Sequence, residues 1–105
     1  MPSSKEYLEF VLEQLSDIEG ITHRAMMGEY IIYYKGKVIG GIYDDRLLVK
    51  KTDSAKQLMP NAPAELPYKG GKEMLLVEDI ENRGFLAKLF NEMFGDLPMP
   101  KIKRS

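Results

Sequence analysis

The sequence predicts a two-layer α+β domain, an antiparallel sheet of four to five strands with an N-terminal and a C-terminal helix packed on one face. Three observations carry this reading. Both ends of the chain place apolar residues at helical spacing, the middle is a series of short β-rich runs, and tight turns separate those runs. Turns that short join antiparallel neighbours, because a parallel connection needs roughly a dozen residues or more. Helices gathered on one face of such a sheet are the simplest way to bury it.

The first helix is read over residues 3–19. Ser3 and Glu6 form a capping-box pattern, and Leu8, Val11, Leu12, Leu15 and Ile18 recur at steps of three and four. Gly20 is a natural stop. Asp17 and Glu19 oppose the helix dipole, so packing of the stripe must hold that end. The period then changes to that of strands. A short strand is read at residues 22–26, a second at 29–34 (Glu-Tyr-Ile-Ile-Tyr-Tyr), a third at 37–43 and a fourth at 46–50. Lys35-Gly36 and Asp44-Asp45 supply turns between them. A short helix at 52–59, capped by Thr52 or Asp53, comes next. Pro60, Pro63 and Pro67 are expected to keep the chain irregular up to Tyr68. Lys69-Gly-Gly-Lys72 turns into a last strand at 73–78. A final helix starts at Asp79 or Asn82 and ends at Gly95, with Phe85, Leu86, Leu89, Phe90, Met93 and Phe94 on its apolar face.

A chain of 105 residues with 44% hydrophobic content suits one domain with one core. The expected layout is a single domain over 1–96 and a mobile basic tail over 97–105. Fifteen Lys and Arg face sixteen Asp and Glu, a net charge of -1, so no global field draws the chain to nucleic acid or an anionic membrane. There are no cysteines, which excludes disulfides, thiolate metal sites and a Cys nucleophile. The N-terminus has no apolar segment of signal-peptide type, and no run approaches the ~20 apolar residues of a bilayer span. The expected location is cytoplasmic.

The strands look apolar on both sides. With strict alternation, Tyr30, Ile32 and Tyr34 oppose Ile31 and Tyr33, while Val38 and Ile42 oppose Ile39 and Tyr43. Two helices cover one side only. A face comprising Ile31, Tyr33, Ile39 and Tyr43 is therefore expected to meet a protein surface, most simply a second copy in a two-fold dimer. Against this stand two alternatives: scattered exposed apolar residues are ordinary, and the proline loop or the tail could fold over the face.

His23, the single histidine, has neither a nucleophile nor an orienting acid near it in sequence, and a strand position explains it. Asp44 and Asp45 suit turn geometry better than metal ligation, and Glu78, Asp79 and Glu81 suit a helix start. Lys69-Gly-Gly-Lys72 lacks P-loop spacing and reads as a turn. A nucleic-acid contact would use Arg24, Lys35, Lys37, Arg46, Lys101, Lys103 and Arg104, with Tyr33 and Tyr43 as stacking surfaces. Acidic neighbours among the same strands favour the simpler reading, a solvated charged edge. Met74 and Met93 read as core, leaving Met26 and Met27 to face a partner. Neither a metal nor a cofactor is expected. The working reading is a non-enzymatic protein-binding module, with a nucleic-acid domain and a small-molecule binder as alternatives.

The run Arg24-Ala-Met-Met-Gly28, then Tyr33-Tyr-Lys-Gly-Lys37, Asp44-Asp-Arg-Leu-Leu-Val-Lys50, Pro67-Tyr-Lys-Gly-Gly-Lys72 and Met74, resembles the N-terminal domain of the TfoX (Sxy) competence regulators. The resemblance spans nearly the whole chain apart from the basic tail. The chain departs from the family pattern at Met27, where Phe is usual, and at Glu29 and Ile31, where Gly is usual. The resemblance implies a compact, often dimeric α+β domain with a secretion-chaperone-like fold and no catalytic residues. It also implies a link to transcriptional co-activators that work with the cyclic-AMP receptor protein, whose full-length forms carry a second, helical domain.

Overall fold

The computed structural model describes residues 4–97. Helix α1 (Lys5–Gln14) leads into strands β1 (Ile21–Met26), β2 (Glu29–Tyr34), β3 (Lys37–Ile42) and β4 (Leu47–Lys50). Helix α2 (Asp53–Leu58), strands β5 (Ala64–Glu65) and β6 (Met74–Leu76), and helix α3 (Arg83–Phe94) complete the order. The result is one open sheet of six antiparallel strands in the order β1-β2-β3-β4-β6-β5. This is the α+β class the sequence predicted, with six strands in place of four to five. The added element is β5. Its two residues fit between Pro63 and Pro67 and pair with Leu75 and Met74, so the prolines bound a strand there rather than exclude one.

Three two-residue turns set the hairpins. Met27-Gly28, Lys35-Gly36 and Asp44-Asp45 all have positive φ at both positions, the type I′ geometry that matches strand twist. Glycine reaches that region without strain, and Asp tolerates it. Met27 and Lys35 have neither advantage, which makes the φ of 52° at each a local cost of roughly 1 kcal/mol or more.

The helices lie on one face of the sheet. Leu8, Val11 and Leu15 from α1 and Leu86, Leu89, Phe90 and Met93 from α3 join Ile32, Tyr34, Ile42, Leu47, Val49, Leu75 and Val77 in a single core. The α1 cap is Ser4, whose hydroxyl accepts the Tyr7 N–H, and the helix ends at Gln14 rather than running to residue 19. The Ser3 half of the expected capping box lies outside the described residues, as does the tail with Lys101, Lys103 and Arg104. Thr52 caps α2 and Asn82 caps α3, each accepting a backbone N–H three residues on. Arg83 ties α3 to α1 through Glu13 and Gln14.

The end of α3 is finished from a distance. Its last turn contains no basic residue. Lys37, on β3, is buried beneath that end and donates to the carbonyls of Phe94 at 3.0 Å and Leu97 at 3.2 Å. Its ammonium also sits 4.0 Å from the centre of the Phe94 ring. A cation at a helix C-terminus satisfies orphan carbonyls and complements the dipole at once.

One irregularity changes which side chains share a face. Opposite β3 the register shifts between Ile32 and Tyr33: Ile32 lies across from Gly40 and Tyr33 across from Val38, leaving Ile39 as the extra residue of a bulge. Strict alternation had paired Ile39 with Tyr43 on the outer face. Instead Ile39 is fully buried in the helix-side core, while Tyr43 stays on the outer face with Val38.

Candidate protein-contact edge and outer face

Two features of the sheet stand out on the side the helices leave open. The first is its β1 edge. Met26 and Glu29 flank a two-residue turn, so they form a hydrogen-bonded pair, and alternate residues follow suit. Met26, Arg24 and Thr22 therefore turn their backbone groups toward β2. Ile21, His23 and Ala25 turn theirs outward, where no strand lies. From Thr22 to Gly28 every residue is exposed, Met27 at 95%. The opposite edge differs: β5 is two residues long and bracketed by prolines, a common way to blunt a sheet edge.

The second feature is the outer face. It carries Arg24, Ile31, Gly41, Leu48 and Leu76 in one cross-strand row, and Thr22, Tyr33 and Val38 in the next. The loop of residues 66–73 covers part of it. Tyr68 packs on Tyr43 with ring centroids 6.1 Å apart, and Leu48 and Tyr43 are buried. Burial raises the Tyr43 phenol pKa, and the neighbouring Tyr68, Glu29 and Tyr33 act in the same direction. Toward β1 the loop does not reach. Ile31, Tyr33 and Val38 are half-buried there, beside Met26, which is 44% exposed. Of the four residues expected at an interface, Ile31 and Tyr33 thus share the open part of the outer face. Tyr43 lies under the loop and Ile39 in the core.

The basic residues expected at a nucleic acid are not brought together. Arg24 is exposed on β1. Lys35 sits over the rings of Tyr34 and Phe94, at 5.2 and 5.5 Å from their centres, and Lys37 is the buried helix cap. Arg46 is ion-paired with Glu65 and bonded to the Tyr43 carbonyl. His23 is exposed and stands edge-on to Tyr30 at 6.3 Å. Asp44 and Asp45 work as turn residues, and Asp45 accepts the Ser4 N–H at 2.7 Å. Among the described residues no group of three or more His, Cys, Asp or Glu could hold a metal ion, and no helix is long and apolar enough to cross a membrane. Met93 is core as expected, whereas Met74 is on the outer face and only half-buried.

The profile of the TfoX N-terminal domain family matches residues 13–84, a span that runs from the end of α1 through all six strands to the start of α3. The chain is also similar to an "uncharacterized 12.7 kDa protein in trpE 5′ region" of Spirochaeta aurantia, at 29% identity over 106 positions, covering 100% of this chain and 92% of that protein. No solved structure matches it. The chain belongs to the TfoX N-terminal domain family.

Proposed function

We propose that this family member is a non-enzymatic, protein-binding module of regulatory or adaptor type, and that it joins a second copy of itself through the β1 edge and the adjoining outer face. The observation that carries the reading is the asymmetry of the two sheet edges. One edge is short and proline-bounded, the other is six residues long with outward backbone groups at Ile21, His23 and Ala25. A long open strand edge is a template for pairing with another chain. Antiparallel pairing of two β1 strands across a two-fold axis would continue the sheet, and it would bring Met26, Ile31 and Tyr33 of each copy toward the seam. Met27 supports the reading independently: a large apolar side chain, almost wholly exposed, is held at positive φ where Asn or Gly would sit without strain. A regulatory role in the manner of the competence co-activators is part of the same proposal.

Sedimentation equilibrium tests it. The wild-type chain is expected to be dimeric at about 100 µM, where a micromolar dissociation constant is saturated. Ala25→Pro removes an outward N–H without touching the β1–β2 ladder, so it should give a folded monomer. Tyr33→Asp should weaken assembly with unchanged circular dichroism. A wild-type monomer at that concentration, or an unaltered dimer in both variants, refutes the proposal.

A further inference from the structure

The outer face holds a second feature, apart from the β1 edge. Where the loop of residues 66–73 arches back from β5 to β6, it leaves an open hollow of about 660 Å³ above β3, β4 and β6. That is the size range of sites for small organic ligands, roughly 300–1,000 Å³. One wall is apolar and aromatic, made by Val38, Met74 and the rings of Tyr43 and Tyr68. The other wall is cationic. Lys50, half-buried on β4, and Lys72, exposed on the loop, both line it. A third lysine, Lys51, is neutralised by Glu73 at 3.1 Å, and Glu73 is the acidic residue of the lining. Among the described residues neither Lys50 nor Lys72 has a carboxylate partner.

Burial lowers the Lys50 pKa, and the charge of Lys72 beside it lowers it further. Two like charges lining one hollow repel each other, and a dianion between them would reverse the sign of that interaction. The loop also brings its backbone close to the space. Gly70 has a φ of 87°, and a Cβ at Gly71 would lie 2.9 Å from the Tyr68 ring. Glycine at these positions keeps the chain close to the mouth while Tyr68 packs against Tyr43 with the two rings tilted by 59°. The exposed face of Tyr68 remains available for stacking, at 57% exposure.

We propose that this hollow is a binding site for a small phosphate monoester on a planar body, of nucleotide size, with Lys50 and Lys72 holding the phosphate and the exposed ring of Tyr68, backed by the buried Tyr43, holding the planar group. Lysine serves as a phosphate binder through its point charge, and tyrosine rings accept a stacked base. The site is independent of the β1 edge, so it stands or falls separately from self-association.

The test is an amide ¹H–¹⁵N titration of the full chain at low salt with adenosine 5′-monophosphate, adenosine and ribose 5-phosphate. The monophosphate should produce saturable shifts at Lys50, Gly70, Gly71 and Lys72. Adenosine and ribose 5-phosphate should each bind at least about tenfold more weakly, a loss of about 1.4 kcal/mol. Lys72→Met, in the exposed loop, and Lys50→Met should each weaken the monophosphate by about tenfold or more with other resonances unmoved. Shifts spread evenly over surface lysines, no saturable shift at the hollow, or full affinity in both variants overturns the proposal. Ribose 5-phosphate binding as tightly as the monophosphate overturns the assignment of a planar body.

Discussion

Replacing Lys37 by Met asks how much of the fold depends on one cation supplied across a separation of 57 residues. Methionine preserves most of the apolar stem and removes the ammonium. The variant leaves the carbonyls of Phe94 and Leu97 without their donor and takes the positive charge from the C-terminal end of α3. A hydrogen bond to a charged group contributes about 1.5–3 kcal/mol, and a cation at a helix end about 0.3–1 kcal/mol, rising to ~2 when partly buried. Against these stands the desolvation of a buried ammonium, several kcal/mol before compensation. The expected balance is a loss of about 2–3 kcal/mol, or roughly 10–20 °C in Tm for a domain of this size. Urea unfolding followed by circular dichroism measures it. Lys35→Met is the control, because Lys35 meets the same Phe94 ring but makes no such bonds, and it should lose less than about 1 kcal/mol. A Lys37→Met variant as stable as the wild type would show that desolvation cancels the cap, and the reasoning fails.

Three further perturbations read other parts of the structure. Gly40→Ala should destabilise by more than about 3 kcal/mol in the same assay, because the new Cβ would collide with the Leu48 carbonyl and lie 2.8 Å from the Val49 Cα, both backbone atoms that cannot turn aside. Met27→Asn should raise stability by about 0.5–1 kcal/mol, since Asn-Gly suits the turn, while weakening self-association. Gain in stability with unchanged assembly would remove Met27 from the contact. Asp96 accepts the Ser54 side-chain and backbone hydrogen bonds, which hold its pKa below the usual carboxylate value. A depressed folded-state pKa contributes stability that is complete above the unfolded value of about 3.9 and is lost as pH falls through the folded one. Asp96→Asn should therefore flatten the acid limb of the stability profile below about pH 4 and leave the neutral region's slope unchanged.

Local chemistry made much of the fold legible. Apolar residues at three- and four-residue spacing marked both long helices, and Lys35-Gly36 and Asp44-Asp45 fixed two hairpins, because each of these signals acts within a few residues. What escaped depends on distant neighbours. The two residues of β5 carry no periodicity of their own and become a strand only by pairing with Leu75 and Met74. The bulge at Ile39 breaks alternation without a local marker, so Ile39 was expected on the outer face and lies in the core. Lys37 resembled any surface lysine until α3 was placed over it. The candidate contact face divides in the same way. Ile31 and Tyr33 were readable from the β2 pattern, whereas the burial of Tyr43 and the hollow beside it arise from Tyr68 folding back across 25 residues. The sequence marks β1 only as a short strand, and its open edge comes from being last in the sheet.

The proposal of edge pairing is tested most directly by amide hydrogen exchange at Ile21, His23 and Ala25 across a dilution series. Their N–H groups point away from β2, so in an isolated monomer they face water. Pairing of two β1 strands predicts protection that rises with concentration and follows the dimer fraction. Exchange at unprotected rates at every concentration, while Thr22, Arg24 and Met26 stay protected, would contradict it.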